Sequence, residues 1–224
     1  ILLVVFFKLY VIYNPIIMIT IVTSLTLGTF GALYQKKIKR LLAYSSITGI
    51  GYFLLLFIYE NPIMLQNIYT YILLYSFSLL SIFTLFLQLF LSKDKKYIEQ
   101  ISSLKGLINI NRGIAIILLF FIFNIAGIPP FSLFIGKLLL LTALAISKNY
   151  FFIFITIIIT ILSCYYYLKL IKIVYFDVSD SKWLLIKNLN YTTSFLLIIF
   201  AFLQLYFFLN PSIIFFVKYI VFSI

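Results

Sequence analysis

Ala126-Gly127-Ile128-Pro129-Pro130-Phe131-Ser132-Leu133-Phe134-Ile135-Gly136-Lys137 is the stretch that decides how this chain folds. It lies inside an apolar run from Gly113 to Ser147. As one ideal helix that run would be near 50 Å long, against a hydrocarbon core of about 30 Å, so it has to be interrupted, tilted or partly unwound. The paired prolines supply the interruption, because they remove backbone donors and free carbonyls. Such a break is tolerated at membrane depth only where protein or a water-filled cavity satisfies it. One or two turns beyond the break stands Lys137, a charge in a place where charges are costly and usually face a protein interior or water.

Composition agrees with a membrane setting. Hydrophobic residues make up 65% of the chain, aromatics 20% and charged residues 10%, which excludes a water-soluble single domain. The apolar stretches lack the strict alternation of a membrane β-barrel, so the fold class read here is all-α, a polytopic transmembrane helix bundle. Seven apolar segments can be drawn: 1–13, 15–33, 41–59, 68–91, 113–147 broken at the prolines, 150–168, and 194 to the C-terminus. That makes about seven spans in a single transmembrane domain over 1–224, one of them the proline-broken helix. The first segment is short and begins with neither Met nor a polar lead, which reads as a non-standard start or a half-missing first helix. No basic leader or small-residue cleavage site marks it as a secretory signal.

Assigning alternate loops to opposite sides places 13 of the 17 basic residues together. They are Lys36, Lys37, Lys39 and Arg40, then Lys93, Lys95, Lys96, Lys105 and Arg112, then Lys169, Lys172, Lys182 and Lys187. Lysine and arginine crowd the side from which helices are inserted, so the net charge of +12 reports topology and no nucleic-acid partner. Treating 113–147 as two crossings would scatter this bias, so one broken crossing is the better reading. Residues Ile98, Ile101, Leu104, Leu107 and Ile108 are spaced for one helical face and predict a short interfacial helix. Trp183, between Lys182 and Lys187, suits a headgroup anchor.

Chemistry is constrained by what is missing. The five acidic residues, Glu60, Asp94, Glu99, Asp177 and Asp180, all fall outside the apolar cores, so paired-carboxylate catalysis inside the membrane is not available. Histidine is absent and Cys164 stands alone, leaving no cysteine or histidine metal site, and no nucleotide-binding glycine pattern is present. No cofactor is expected on this chain, and only Lys8 and Lys137 are charged at membrane depth. Lys137 is about 15 Å of helix from Ser147, beyond comfortable snorkelling reach. Lys8 is only about 9 Å from the end of its segment and can snorkel. Ser45, Ser46 and Thr48 could order water, although hydroxyls in membrane helices more often bond back to their own helix. Gly49 and Gly51 read as sites of close helix approach, and Tyr165, Tyr166 and Tyr167 as an aromatic belt near a helix end.

Two stretches go beyond composition: Lys39-Arg40-Leu41-Leu42-Ala43-Tyr44-Ser45-Ser46-Ile47, and the proline-broken Ala126 to Lys137. Together with Tyr165-Tyr166-Tyr167-Leu168-Lys169, in order and spacing, they resemble mitochondrial NADH dehydrogenase subunit 2, a family of antiporter-like subunits in the membrane arm of respiratory complex I. The resemblance covers the family's C-terminal half, helices eight to fourteen. It implies that Lys137 relays protons, that Gly127, Pro129 and Pro130 form the break beside it, and that Lys8, Ser45 and Ser46 are candidates for a hydrated path. It also implies a proton-translocating part of NADH:ubiquinone oxidoreductase, with no redox chemistry on this chain. The expected location is the mitochondrial inner membrane, with basic loops on the matrix side and the C-terminus on the intermembrane-space side. Expected partners are other membrane-arm subunits, a separate polypeptide carrying the missing N-terminal helices, and membrane lipids. The family's intramembrane glutamate, first-repeat lysine and central lysine have no counterpart here, and Gly49 stands where relatives often place a histidine. Two alternatives stay open: a cation/proton antiporter subunit outside respiration, and a structural membrane-arm subunit that does not pump.

Overall fold

The computed structural model describes residues 14–58, 62–87, 100–177 and 191–210. Within them the chain folds as α1 (Asn14–Leu33), α2 (Ile38–Leu55, continued by a 3-10 turn Leu56–Ile58), α3 (Pro62–Phe86), a 3-10 turn Ile101–Leu104, α4 (Leu107–Ile110), α5 (Arg112–Ala126), α6 (Ser132–Ile146), α7 (Tyr150–Tyr175) and α8 (Tyr191–Leu209). Among the described residues, α1, α3, α7 and α8 are long and apolar enough to cross a membrane, while α5 and α6 are shorter apolar helices. The first apolar segment with Lys8, and the stretch with Trp183, lie outside the described residues.

Pro15 and Pro62 stand in the first described turn of α1 and α3, a position at which proline's missing N–H and fixed φ are tolerated. That carries α3 back six residues from the expected Ile68. At the other end α7 runs seven residues past the expected Leu168. Leu170, Ile171 and Val174 are buried there while Lys169 and Lys172 are exposed, so a helical stripe still faces protein after the basic residues begin.

Packing relies on small residues and close approach, as it must where lipid tails are as apolar as leucine. Gly51 on α2 sits against Ser24 and Leu25 of α1, and Gly49 against the ring of Tyr75 on α3. Large side chains such as Phe154, Ile161, Phe195 and Phe202 point outward.

The short helix expected between Glu99 and Asn111 is not continuous over its described residues. Gly106 takes a left-handed conformation with φ +65° and divides the described part into the 3-10 turn and the one-turn α4. The apolar face is nonetheless inward: Ile101, Leu104 and Leu107 are buried, seated on protein. This segment also ties the basic loops together. The Ile101 N–H donates to the Lys36 carbonyl at 3.0 Å, and Lys37 pairs with Gln100 as an isolated antiparallel bridge. The α1–α2 loop and the segment before α5 therefore lie at the same end of the bundle, and the last turns of α7 join them around a shared vestibule.

Contacts along α3 show how the broken helix runs. Ser78 meets Asn124 at the end of α5, Tyr71 lies against Gly136, and Asn67 meets the Leu139 carbonyl at 3.4 Å. Descending α3 thus matches ascending α5 and α6, so the two halves continue in one direction antiparallel to α3. The 113–147 run is one interrupted crossing.

Candidate functional site

The break is built from the backbone outward. After Ala126 the chain enters Gly127 with φ +76° and ψ +41°, a left-handed conformation that glycine adopts without steric cost. The Gly127 N–H donates to Asn124 at 2.9 Å and the Ile128 N–H to Phe123 at 3.1 Å, the pairing of a Schellman motif that closes a helix C-terminus. Pro129 and Pro130, joined by a cis peptide bond, lead to the extended Phe131. From Ser132 the second half begins.

Asn124 holds the two halves together. It is fully buried. Its amide donates to Ser78 Oγ on α3 at 2.7 Å. Its carbonyl oxygen accepts from the Ser132 hydroxyl at 3.1 Å and from the Leu133 N–H at 3.0 Å, so it caps α6 from a distance of eight residues. The sequence reading did not single it out. Its signal was there: it is the lone polar side chain in Phe120-Phe121-Ile122-Phe123-Asn124-Ile125, and a buried polar group needs a partner.

Lys137 lies one turn into α6 and reaches back across the break. Its Nζ donates to the Ala126 carbonyl at 2.7 Å, a carbonyl that the end of α5 leaves without a helical partner. The ammonium is 5.6 Å from the centroid of the Tyr52 ring on α2, within range of a cation–π attraction. Gly127 makes the approach possible, since a Cβ there would fall 2.7 Å from Lys137 Cδ and 2.9 Å from its Nζ. Beside the lysine is a cavity of about 20 Å³ lined by Ser45, Thr48, Tyr52, Tyr75, Ser163 and Tyr166 among others. Four helices, α2, α3, α6 and α7, each place a polar side chain on it.

The other candidates separate. Ser45 is buried and lines this cavity, with its hydroxyl bonded back to Leu42 at 2.8 Å. Ser46 bonds back to Ala43 at 2.7 Å and takes no part in the cavity. Lys8 lies outside the described residues. The three tyrosines of α7 do not act together as a belt: Tyr165 is 61% exposed, whereas Tyr166 and Tyr167 are each 2% exposed. Helical rotation of about 100° per residue turns the second and third inward.

A membrane helix bundle with an interrupted crossing, its break satisfied by a buried asparagine and by the ammonium of an interior lysine, is the class of protein that fold and site define. The transmembrane family described as NADH:quinone oxidoreductase/Mrp antiporter matches residues 1–163, and the chain belongs to that family. It is 35% identical over 198 residues to NADH-ubiquinone oxidoreductase chain 2 of Marchantia polymorpha, covering 88% of this chain and 40% of that one. To NADH-quinone oxidoreductase subunit N of Orientia tsutsugamushi it is 35% identical over 165 residues, 73% of this chain and 34% of that protein. A chain of respiratory complex I from Thermus thermophilus superposes with a TM-score of 0.74 at 23% identity, covering 89% of this chain and 44% of that one. A chain of the Mrp complex from Dietzia sp. superposes at 0.75 with 16% identity, covering 90% and 46%. The last two likenesses concern the fold. This chain spans about 40% of the length of the Marchantia relative.

Proposed function

We propose that this chain translocates protons as the C-terminal half of an antiporter-like subunit of NADH:ubiquinone oxidoreductase in the mitochondrial inner membrane, with Lys137 as the relay. The observation that carries this reading is the Lys137 ammonium held on the freed Ala126 carbonyl beside a polar cavity. An ammonium there is stabilised by a backbone acceptor that persists when the proton leaves, so the side chain can be unloaded and reloaded without rebuilding the site. Lysine on a flexible stem in a poorly hydrated site changes protonation state readily when a neighbouring charge changes. The chain itself would carry no redox step. Quinone reduction elsewhere in the complex would reach Lys137 as altered charge on neighbouring lysines and glutamates. The basic loops would face the matrix, and other membrane-arm subunits and lipids would surround the bundle.

The helices that the relatives carry over the rest of their length would complete the pump. Mass spectrometry of gently solubilised material tests this: complex I subunits travelling with the chain support the reading, and their absence refutes it. It also shows whether those helices come on a separate polypeptide. Lys137→Met in the assembled complex should lower the protons moved per NADH oxidised, with Lys137→Arg keeping charge but not the exchangeable proton. A variant that assembles and pumps at the normal ratio would favour the purely structural reading. Copurification without a flavin and iron-sulfur arm would favour a cation/proton antiporter.

A further inference from the structure

Two cavities in this molecule share one side chain. The larger, about 580 Å³, opens at the basic-loop end, where Lys36, Arg40, Lys105 and Lys169 line it over an apolar floor that includes Leu41 and Leu170. Tyr166 lies in its wall. The smaller, about 20 Å³, flanks Lys137, and Tyr166 lies in its wall too. Tyr166 therefore stands between an open vestibule and the interior lysine, one helical turn below Lys169.

Its hydroxyl sits among polar neighbours. Tyr166 is 2% exposed and its phenolic oxygen lies beside the hydroxyls of Thr48 and Tyr167, while Tyr52, whose ring faces the Lys137 ammonium, lies beside Ser163. Buried hydroxyls are normally paired, and these side chains form a polar line from the vestibule wall to the lysine. Both hydroxyls belong to residues lining the smaller cavity, which has room for about one water with several polar neighbours. The Tyr166 ring is braced on Tyr167, centroid to centroid 4.5 Å at 49°.

We infer that Tyr166 gates a water path from the basic-loop end to Lys137. In the closed position its ring separates vestibule from cavity, and its hydroxyl is the point at which a hydrogen-bonded chain crosses. This rests on the proposed relay role of Lys137 and extends it by naming the side from which the lysine exchanges its proton. Tyr166 acts as a positioning residue: it touches the path and leaves the Ala126 contact alone.

The test uses the assembled complex in sealed vesicles of known orientation. Thr48, buried on the cavity wall, is replaced by cysteine in a Cys164→Ser background, and labelling by the anionic, membrane-impermeant sulfonatoethyl methanethiosulfonate is timed from each side. With Tyr166 in place labelling should be slow. Tyr166→Ala should speed it at least tenfold from the basic-loop side alone. Tyr166→Phe, which keeps the ring, should leave labelling slow but lower the protons moved per NADH. An unchanged rate in Tyr166→Ala, access from the opposite side, or normal pumping by Tyr166→Phe would each overturn the gate. Should Tyr166→Ala fail to assemble, the Tyr166→Phe arm still decides. Normal pumping by Lys137→Met would instead refute the relay, whatever the labelling rates.

Discussion

Replacing Gly127 by alanine separates the backbone's part in the site from the lysine's. Two costs can be read from the geometry. At φ +76° an L residue loses roughly 1–2 kcal/mol relative to glycine. The new Cβ would also lie 2.7 Å from Lys137 Cδ, so the lysine stem has to move and its 2.7 Å bond to Ala126 is lost. A hydrogen bond to a charged group contributes about 1.5–3 kcal/mol. Together the local loss is about 2.5–5 kcal/mol, enough to lower the melting temperature of the subunit by several degrees. The assay is thermal unfolding of the assembled complex, paired with protons moved per NADH oxidised. Gly127→Asn is the informative partner, because asparagine tolerates the left-handed conformation better than alanine yet still displaces the lysine. It should recover part of the melting temperature and none of the pumping. Unchanged stability and pumping in Gly127→Ala would refute the account of the break.

Asn124→Ala removes three hydrogen bonds and orphans the Leu133 N–H, a loss of about 3–4 kcal/mol. It should show in hydrogen exchange as faster opening of the first turn of α6, and a protection pattern like the wild type's would contradict the capping role. Ser46→Ala, by contrast, deletes only a bond back to its own helix and should stay within about 0.5 kcal/mol, with pumping unaltered. A clear pumping defect in that variant would bring Ser46 back into the hydrated path.

The break, its lysine and the six described apolar segments were legible because prolines and a charge are conspicuous in an apolar run. Which way a side chain faces was much less so. In a lipid-facing bundle both faces of a helix are apolar, so hydrophobic periodicity does not distinguish Tyr165 from Tyr166. Only the packing of α7 against α1, α5 and α6 does. Asn124 shows a different gap. Its partners Ser78 and Ser132 come from another helix and from beyond the break, and no spacing rule links them. Gly106 broke an otherwise good helical face, because φ +65° is a property of the turn that the neighbouring apolar positions do not reveal.

Asn124 also has a mechanical meaning. It is bonded at once to Ser78 on α3 and to the first residues of α6, so it works as a pin through a joint. Movement of α3 along its own axis would pull on the start of α6 through these bonds, and Lys137 sits a few residues from that pivot. If the proposed function holds, a push delivered near Ser78 would thus arrive as a displacement of the ammonium relative to the Ala126 carbonyl, turning strain in one rod into a change of contact at one atom.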